Sequence, residues 1–180
     1  REAVGSSIGI RVDANQGWSR EESVKIIRAL GDADLDIEFV EQPIAGEDVE
    51  GLAWIRERVE LPLMADETCY SRYDLERIIA LGAADLVNIK LAKCGSLTAG
   101  AVMLQRAQAA GLGTIVGSMM ESAVGVGAAS ALVAAMGTTQ VSDLDAAWWT
   151  AQSPFGPQAP RYAGGEIVLI DDGSTDGSSD

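Results

Sequence analysis

The sequence predicts an α/β protein whose strands form a partial (β/α)8 barrel of the TIM type, with about six βα units. Three observations predict this fold. Short runs rich in Val, Ile and Leu alternate with longer amphipathic segments along most of the 180 residues, which is typical of parallel strands joined by helices. No G-x-G-x-x-G sequence leads from a strand into a helix, which disfavours a doubly wound dinucleotide-binding sheet. Charged residues recur at the carboxyl ends of the predicted strands, where barrel enzymes place their active sites.

The predicted elements can be placed in order from the residues that begin and end them. The first helix begins after Ser19, which forms a capping-box pattern with Glu22 three residues later. A later helix begins at Ser71 and is closed by Gly82. The predicted strands span residues 8–15, 36–43, 61–68, 85–95, 113–122 and 139–146, and the helical segments between them span residues 19–32, 47–59, 71–82, 96–111 and 123–137.

Composition and charge argue against several classes of function. The chain has 13 basic and 27 acidic residues, a net charge of −14, so a basic face for nucleic acid is not expected. No apolar run approaches the ~18 residues that a membrane span needs, and the opening residues do not resemble a secretion signal. Two cysteines without metal-type spacing favour a reducing, cytoplasmic location. Because there is no histidine, carboxylates and lysines must carry any chemistry.

One charged residue ends almost every predicted strand. Asp13, Glu41, Asp66 and Lys90 follow one another at intervals of 24 to 28 residues, and Asp143 ends the last strand. Helix capping would explain an acidic residue after one or two strands, but it does not explain a lysine. The pattern therefore predicts a shared site at one end of the barrel.

The three carboxylates from neighbouring strands predict a metal site. Left bare, Asp13, Glu41 and Asp66 would repel one another, and a hard divalent cation with oxygen ligands, Mg²⁺, removes that repulsion. Lys90, on the next strand, is then expected to have its pKa lowered by the cation and by burial, which suits a base that takes a proton next to a carboxylate and leaves an enediolate. Lys93 is the alternative to Lys90, or a surface charge.

Four stretches in order, RVDANQGWS, FVEQP, MADET and VNIKLAKCG, resemble the C-terminal barrel of the enolase superfamily, in its muconate-lactonizing subgroup. The resemblance covers residues 8–165. It implies that Asp13, Glu41 and Asp66 bind one Mg²⁺ and that Lys90 is one acid/base lysine. It further implies that GSMMES, residues 117–122, lines the substrate pocket. The remaining residues that it assigns are Ser118, Met120 and Glu121 for substrate, and Asn15, Glu67 and Lys93 as supports of the site.

The stretch SDLDA narrows the substrate class. Asp143 and Asp145 stand two apart on the predicted last strand, so their side chains are expected on one face. The pair resembles the Asp-x-Asp of dipeptide epimerases, which binds a free α-ammonium, and paired carboxylates suit a cation. The resemblance thus implies Mg²⁺-dependent epimerisation of dipeptides by 1,1-proton transfer. A muconate cycloisomerase or o-succinylbenzoate synthase, and a non-catalytic fragment that assembles with itself, remain as alternatives.

The chain also departs from the family pattern. The capping domain, the first two barrel strands and a Lys-x-Lys motif that carries the opposite-face base are expected before the barrel, yet only twelve residues precede Asp13. Lys90 therefore lacks its partner base within this sequence. Six units cannot close an eight-stranded barrel, so pairing with the missing N-terminal part or with a second copy, as a homo-oligomer, is expected.

The sequence predicts two segments, a barrel part over residues 1–165 and a C-terminal strand with a flexible polar tail over residues 166–180. The tail contains DDGSTDGS, which resembles a segment of family 2 glycosyltransferases. No domain follows it here, so a polar tail is the preferred interpretation.

Overall fold

The computed structural model describes residues 1–150 and 161–168, and within them five parallel strands form one sheet in the order β1-β2-β3-β4-β5. The strands are β1 (Ile10–Asp13), β2 (Ile37–Glu41), β3 (Leu63–Ala65), β4 (Leu86–Lys90) and β5 (Gly113–Gly117). The helices are α1 (Arg20–Asp32), α2 (Val49–Arg56), α3 (Arg72–Leu81), α4 (Leu91–Cys94), α5 (Leu97–Ala109) and α6 (Ala123–Met136). Each strand pairs with the next in the chain, which confirms the predicted βα alternation.

The predicted helix starts are confirmed. Ser19 and Ser71 each form a complete capping box, because the Ser hydroxyl accepts from the backbone N–H three residues later and the acidic side chain of that same residue accepts from the Ser backbone N–H. Helix α3 ends at Gly82, whose φ of 58° is the left-handed conformation that glycine adopts without cost. These caps fix where the chain leaves each strand and enters each helix.

The predicted sixth strand, residues 139–146, is wrong except for one bridge, between Gly117 and Asp143. The segment runs beside β5, but two backbone N–H groups of β5 donate to side-chain hydroxyls of the segment instead of to its backbone carbonyls. The backbone N–H of Thr114 donates to the Thr139 hydroxyl at 2.7 Å, and the N–H of Val116 donates to the Ser142 hydroxyl at 3.3 Å. Side-chain acceptors thus replace the carbonyls of a regular ladder, and the chain turns into a short 3-10 helix at Ala146–Trp149.

Apolar side chains cover both faces of the sheet. The larger core lies between strands and helices, and a second cluster on the opposite face is made by Phe39, Met64, Leu86 and Ile115, one from each of four strands. This double coverage explains why the strands are apolar runs without alternation.

The first strand and the segment after β5 approach each other across this second cluster. The Arg11 guanidinium lies 4.9 Å from the Phe39 ring centre, donates to Glu38 at 2.7 Å, and donates to the carbonyl of Val141 at 3.0 Å. The sheet therefore curls like part of a barrel wall, although five strands do not close it.

A short hairpin lies beyond the sheet. Strands β6 (Arg161–Ala163) and β7 (Glu166–Val168) pair antiparallel, so the predicted C-terminal strand pairs within the chain over the residues described. The segment boundary predicted at residue 165 lies in the turn of this hairpin and stays a prediction. The polar tail with its DDGSTDGS sequence lies outside the described residues.

Candidate active site

A cleft of about 340 Å³ opens at the carboxyl ends of the strands. Four of the residues predicted from the strand ends line it: Asp13, Glu41, Lys90 and Asp143. The rest of its lining is Arg11, Phe39, Asn88, Ile115 and Ser142. The strand-end pattern in the sequence therefore corresponds to four side chains that line one cleft.

Strand register brings these side chains together. Asp13 and Glu41 are directly paired in the β1–β2 ladder, and Glu41 is paired with Met64 of β3. Asp66 lies two residues beyond Met64, and successive positions two apart share a face of a strand. By the same rule Asn88 precedes Lys90 on the cleft face of β4.

Asp66 and two lysines form a buried ionic network. The Lys90 ammonium donates to Asp66 Oδ2 at 2.6 Å, and the Lys93 ammonium donates to the other carboxylate oxygen. Lys93 also donates to the carbonyls of Asp66, at 2.6 Å, and Asn88, at 3.0 Å. Its side chain is only 3% exposed, so the alternative of a surface charge is wrong for Lys93. Each of its three protons has an acceptor.

The pKa of Lys90 is raised in this setting. Burial, the largest single influence, lowers the pKa, but it is outweighed by the hydrogen bond to Asp66 and by the negative charges of Asp66, Glu41 and Glu67. The predicted lowering of the pKa required a neighbouring cation. The Asp66 hydrogen bond and the surrounding carboxylates act the other way, so the shift of the Lys90 pKa is opposite to the predicted one.

Glu41 is the carboxylate whose protonation is most disturbed. Burial, with the charges of Asp66 and Asp13 adding to it, raises the pKa of Glu41 to about 7, against the opposing hydrogen bond from Asn88. That bond joins Asn88 Nδ2 to Glu41 Oε1 at 2.9 Å. The Asn88 Oδ1 atom is buried and has no hydrogen-bond partner, so this edge of the cleft carries an unused acceptor as well as an excess of negative charge.

The donor chemistry fits Mg²⁺, but the arrangement is not a closed metal cage. Asp13, Glu41 and Asp66 offer only oxygen ligands, which is what Mg²⁺ takes. Yet both carboxylate oxygens of Asp66 accept from lysines, and Asp66 does not line the cleft. In the part of the chain that the structure describes, no three acidic or cysteine side chains are grouped to hold a metal. The three residues therefore have the ligand type and the strand positions that a Mg²⁺ site needs, but their side chains are not arranged as a preformed site.

Three residues that support the site are missing from the sequence-based prediction. Gln42 is fully buried, and its side chain donates to Thr68 and accepts from the backbone of Asp66 and Thr68, which holds the ends of β2 and β3 in place. Asn88 orients Glu41. Polar residues inside apolar strands, at the position before Pro43 and in LVNIK, are the signals that could have revealed both.

Gly117 is the third such residue. A Cβ at this position would lie 2.5 Å from Asn88 Oδ1 and 3.0 Å from Lys90 Cε. Those contacts are too close, so only glycine lets β5 pass beside the side chains of Asn88 and Lys90.

Asp143 lines the cleft, and Asp145 lies next to Asp143 without lining the cleft. They are not two positions of one strand, because Asp145 already precedes the 3-10 helix. The pKa of Asp143 is raised, first by burial and then by the charge and hydrogen bonding of Asp145, so the two carboxylates are close neighbours. No salt bridge to either is formed within residues 1–150 and 161–168.

The other predicted site residues do not line the cleft. The Ser118 hydroxyl donates to the Asp143 carbonyl at 3.3 Å, Glu121 accepts from the backbone of Met119 at 3.0 Å, and Met120 is 81% exposed. Their contact with substrate stays a prediction.

Asn15 and Glu67 are predicted to support the site, and the structure places them in different surroundings. The backbone N–H of Asn15 donates to Asp13 at 2.8 Å, which orients that carboxylate. Glu67 lines a separate cavity and leaves one buried oxygen without a partner.

A parallel barrel-type sheet whose neighbouring strands end in Asp, Glu, Asp and Lys defines the barrel of an enolase-type enzyme. Comparison with known proteins agrees, since residues 1–173 match the Enolase C-terminal domain-like family. The chain belongs to this family, as predicted.

Two of the most similar proteins are named as epimerases. The hydrophobic dipeptide epimerase of Enterococcus faecalis is 40% identical over 155 residues, which are 86% of this chain and 43% of that protein. The structure of the L-Ala-D/L-Glu epimerase of Bacillus subtilis superposes with a TM-score of 0.88 at 36% identity, over 94% of this chain and 47% of that chain.

A third relative has a different named substrate. The N-succinyl-L-Arg/Lys racemase of Bacillus cereus is 45% identical over 125 residues, which are 69% of this chain and 33% of that protein. The chain thus spans less than half the length of each of these relatives. Separately, no helix among the described residues is long and apolar enough to cross a membrane.

Proposed function

We propose that this chain supplies the metal-binding and substrate-binding barrel of a Mg²⁺-dependent dipeptide epimerase. The observation that carries the proposal is the single cleft that Asp13, Glu41, Lys90 and Asp143 line together. A dipeptide has a carboxylate at one end and an ammonium at the other, and the cleft offers carboxylates for a cation and Asp143, with Asp145 beside it, for the ammonium.

Each group has a distinct role in the proposed reaction. Asp13, Glu41 and Asp66 would hold Mg²⁺, which when bound supplies positive charge for the substrate carboxylate and for negative charge that develops beside it. Lys90 would transfer the proton at the α-carbon of the second residue. Because Lys90 is an ammonium paired with Asp66, it must release its own proton before it can accept one from the substrate, and a weaker ion pair favours that release.

Epimerisation also needs an acid/base group on the opposite face of the α-carbon. Neither of the other lysines can serve, because Lys93 has all its protons bound to acceptors and Lys25 is exposed on α1. We therefore propose that the second group comes from a part of the protein beyond this chain, together with the capping domain.

Similarity to relatives supports the substrate class. The Enterococcus faecalis epimerase has a structure described as complexed with Mg and the dipeptide L-Leu-L-Tyr, which superposes with a TM-score of 0.81 at 39% identity, over 86% of this chain and 43% of that chain. The same ligands are proposed for the cleft of this chain.

The test follows exchange of the α-proton in D₂O. The intact gene product, with Mg²⁺, is incubated with a panel of dipeptides, and loss of the α-proton signal of the second residue is measured by NMR. Exchange is expected, and Lys90→Gln should slow it by about 10²–10⁴-fold, the usual contribution of a positioned acid/base group. Lys25→Gln is the matched control and should leave the rate unchanged. No exchange with any dipeptide would overturn the proposal.

The same assay separates the alternative functions. Replacing both Asp143 and Asp145 by Ala should abolish exchange of dipeptides with a free amine. If amine-free or N-succinylated substrates are turned over instead, and the double variant retains that activity, a cycloisomerase, synthase or racemase is the correct assignment. If the protein neither exchanges protons nor binds Mg²⁺ but forms oligomers in light scattering, the non-catalytic alternative is correct.

A further inference from the structure

A second and larger cavity adjoins the acidic end of the cleft. It measures about 810 Å³ and extends between helix α6 and the β6–β7 hairpin. Asp143 lines both the cleft and this cavity, and Asp145 lines the cavity alone. The two spaces therefore share the acidic pair as their common border.

Three aromatic side chains line this cavity, Trp148, Trp149 and Tyr162. The rings of Trp148 and Tyr162 meet edge to face with centres 5.7 Å apart. The Tyr162 hydroxyl donates to the carbonyl of Leu144 at 2.7 Å, and the Trp149 indole donates to Asp145 Oδ2 at 2.8 Å. The aromatic wall is thus fastened to the same short segment that carries the acidic pair.

The wall leaves apolar surface open to a ligand. Trp148 is 63% exposed and Trp149 is 68% exposed, and the facing side of α6 contributes Val133 and Ala134. Burying aromatic surface against another apolar group is favourable in proportion to the area covered. A cavity of this size lies within the range of small-molecule sites.

We propose that this cavity receives the side chain of the first residue of the dipeptide, and that its aromatic wall selects large apolar or aromatic side chains there. The inference rests on the proposed function, which places the α-ammonium at Asp143 and Asp145. Consecutive α-carbons are about 3.8 Å apart. With the second residue at Lys90 and the ammonium at the acidic pair, the first α-carbon lies at the border and its side chain enters the cavity.

The aromatic and aliphatic walls favour an apolar side chain. The substrate ammonium is placed at the two carboxylates, which leaves these walls for the side chain. A preference for lysine or arginine as the first residue, which aromatic rings can also attract, would contradict the proposal.

The first test measures selectivity with a constant second residue. Dipeptides beginning with Gly, Ala, Leu, Phe or Lys are compared by kcat/KM for α-proton exchange in the intact gene product. The kcat/KM of Leu and Phe dipeptides should exceed that of Ala dipeptides by about tenfold or more, as hydrophobic pockets discriminate at that level.

Trp148→Ala should reduce the ratio of kcat/KM for Phe to Ala substrates about tenfold, whereas Tyr73→Ala, which truncates an exposed aromatic on α3, should not change that ratio. Equal rates for all first residues, or an unaltered ratio in Trp148→Ala, would overturn the inference.

The second test does not depend on turnover. L-Phenylalaninamide carries the ammonium and the aromatic side chain but has no carboxylate, so it should change tryptophan fluorescence on binding. N-acetylation of this probe should weaken binding, and glycinamide should bind at least tenfold more weakly. If no dipeptide exchanges while this binding pattern is seen, the proposed reaction fails and the cavity assignment stands. If the three probes bind alike, the cavity assignment is wrong whatever the reaction.

Discussion

Two charged groups at and beside the cleft, a lysine end (Asp66, Lys90 and Lys93) and an aspartate end (Asp143 and Asp145), balance their charges in different ways. At the β3–β4 end Asp66 is 4% exposed, and the ammonium groups of Lys90 and Lys93 occupy both of its carboxylate oxygens. At the other end Asp143 and Asp145 lie together, are exposed, and form no salt bridge within the described residues. The first end is a complete ionic network that is part of the folded structure. The second lacks a positive charge, which a ligand can supply.

The backbone pairing also differs between the two ends, and it is more extensive at the lysine end than at the aspartate end. Lys90 ends a strand that is paired in full register with β5 over five positions, whereas Asp143 is held by a single bridge. Hence the lysine end should respond to mutation through stability, and the aspartate end through ligand binding.

The largest effect is expected for Lys93→Met. Removing the ammonium takes a donor from one oxygen of the buried Asp66 carboxylate and from two backbone carbonyls, and breaking a buried pair in this way costs about 3–5 kcal/mol. Urea unfolding would measure the loss. Lys25→Met, a change of the same chemistry on the exposed face of α1, should cost less than about 0.5 kcal/mol. Equal losses in the two variants would refute the distinction between the ends.

Gly117→Ala should have a smaller effect on stability with a marked effect on the site. The added methyl group meets Asn88 and Lys90 at distances that require them to shift, and such overpacking costs about 1–3 kcal/mol. Gly31→Ala, in α1, meets only Leu61 at an ordinary 3.8 Å and should be neutral or stabilising. Thermal unfolding and α-proton exchange together test this, and a variant that keeps both unchanged would contradict the packing described.

Glu41 should make the metal-free protein less stable as pH rises. Its pKa is about 7 in the folded protein, against 4.5 for an ordinary Glu, so between these values the folded state holds a proton that the unfolded chain releases. Stability therefore falls from about pH 4.5 to 7 and levels off above. In the presence of EDTA, Glu41→Gln should flatten this part of the urea-midpoint profile, whereas Glu60→Gln, at an exposed position, should leave its shape as in the parent.

The smallest effect on stability is expected for Asp143→Asn and Asp145→Asn. Each substitution removes repulsion between neighbouring carboxylates, so the unfolding free energy should change by less than about 0.5 kcal/mol, toward greater stability. Both variants should bind dipeptides weakly. A loss comparable to that of Lys93→Met would show that this end, too, is a structural network.

Sequence patterns were sufficient for much of the fold and for part of the site. The capping boxes at Ser19 and Ser71 and the left-handed Gly82 were predictable because capping depends on residues within a few positions of one another. The charged strand ends were predictable because parallel strands present their carboxyl ends at one edge. The failed sixth strand was not predictable, since hydroxyls of Thr139 and Ser142 replace ladder acceptors only when they lie beside β5.

By itself, then, the sequence determined the order of elements, the family, and which strands carry acidic residues or a lysine. Only the tertiary structure decided that Lys93 is enclosed rather than exposed, that Asn88 and Gly117 shape the cleft, and that Asp143 borders two cavities. The physical reason is the distance along the chain between the residues that determine each feature. Helix caps and strand runs arise from neighbours in the chain, whereas burial, pKa and cavity borders depend on residues tens of positions apart that meet only when the sheet is assembled.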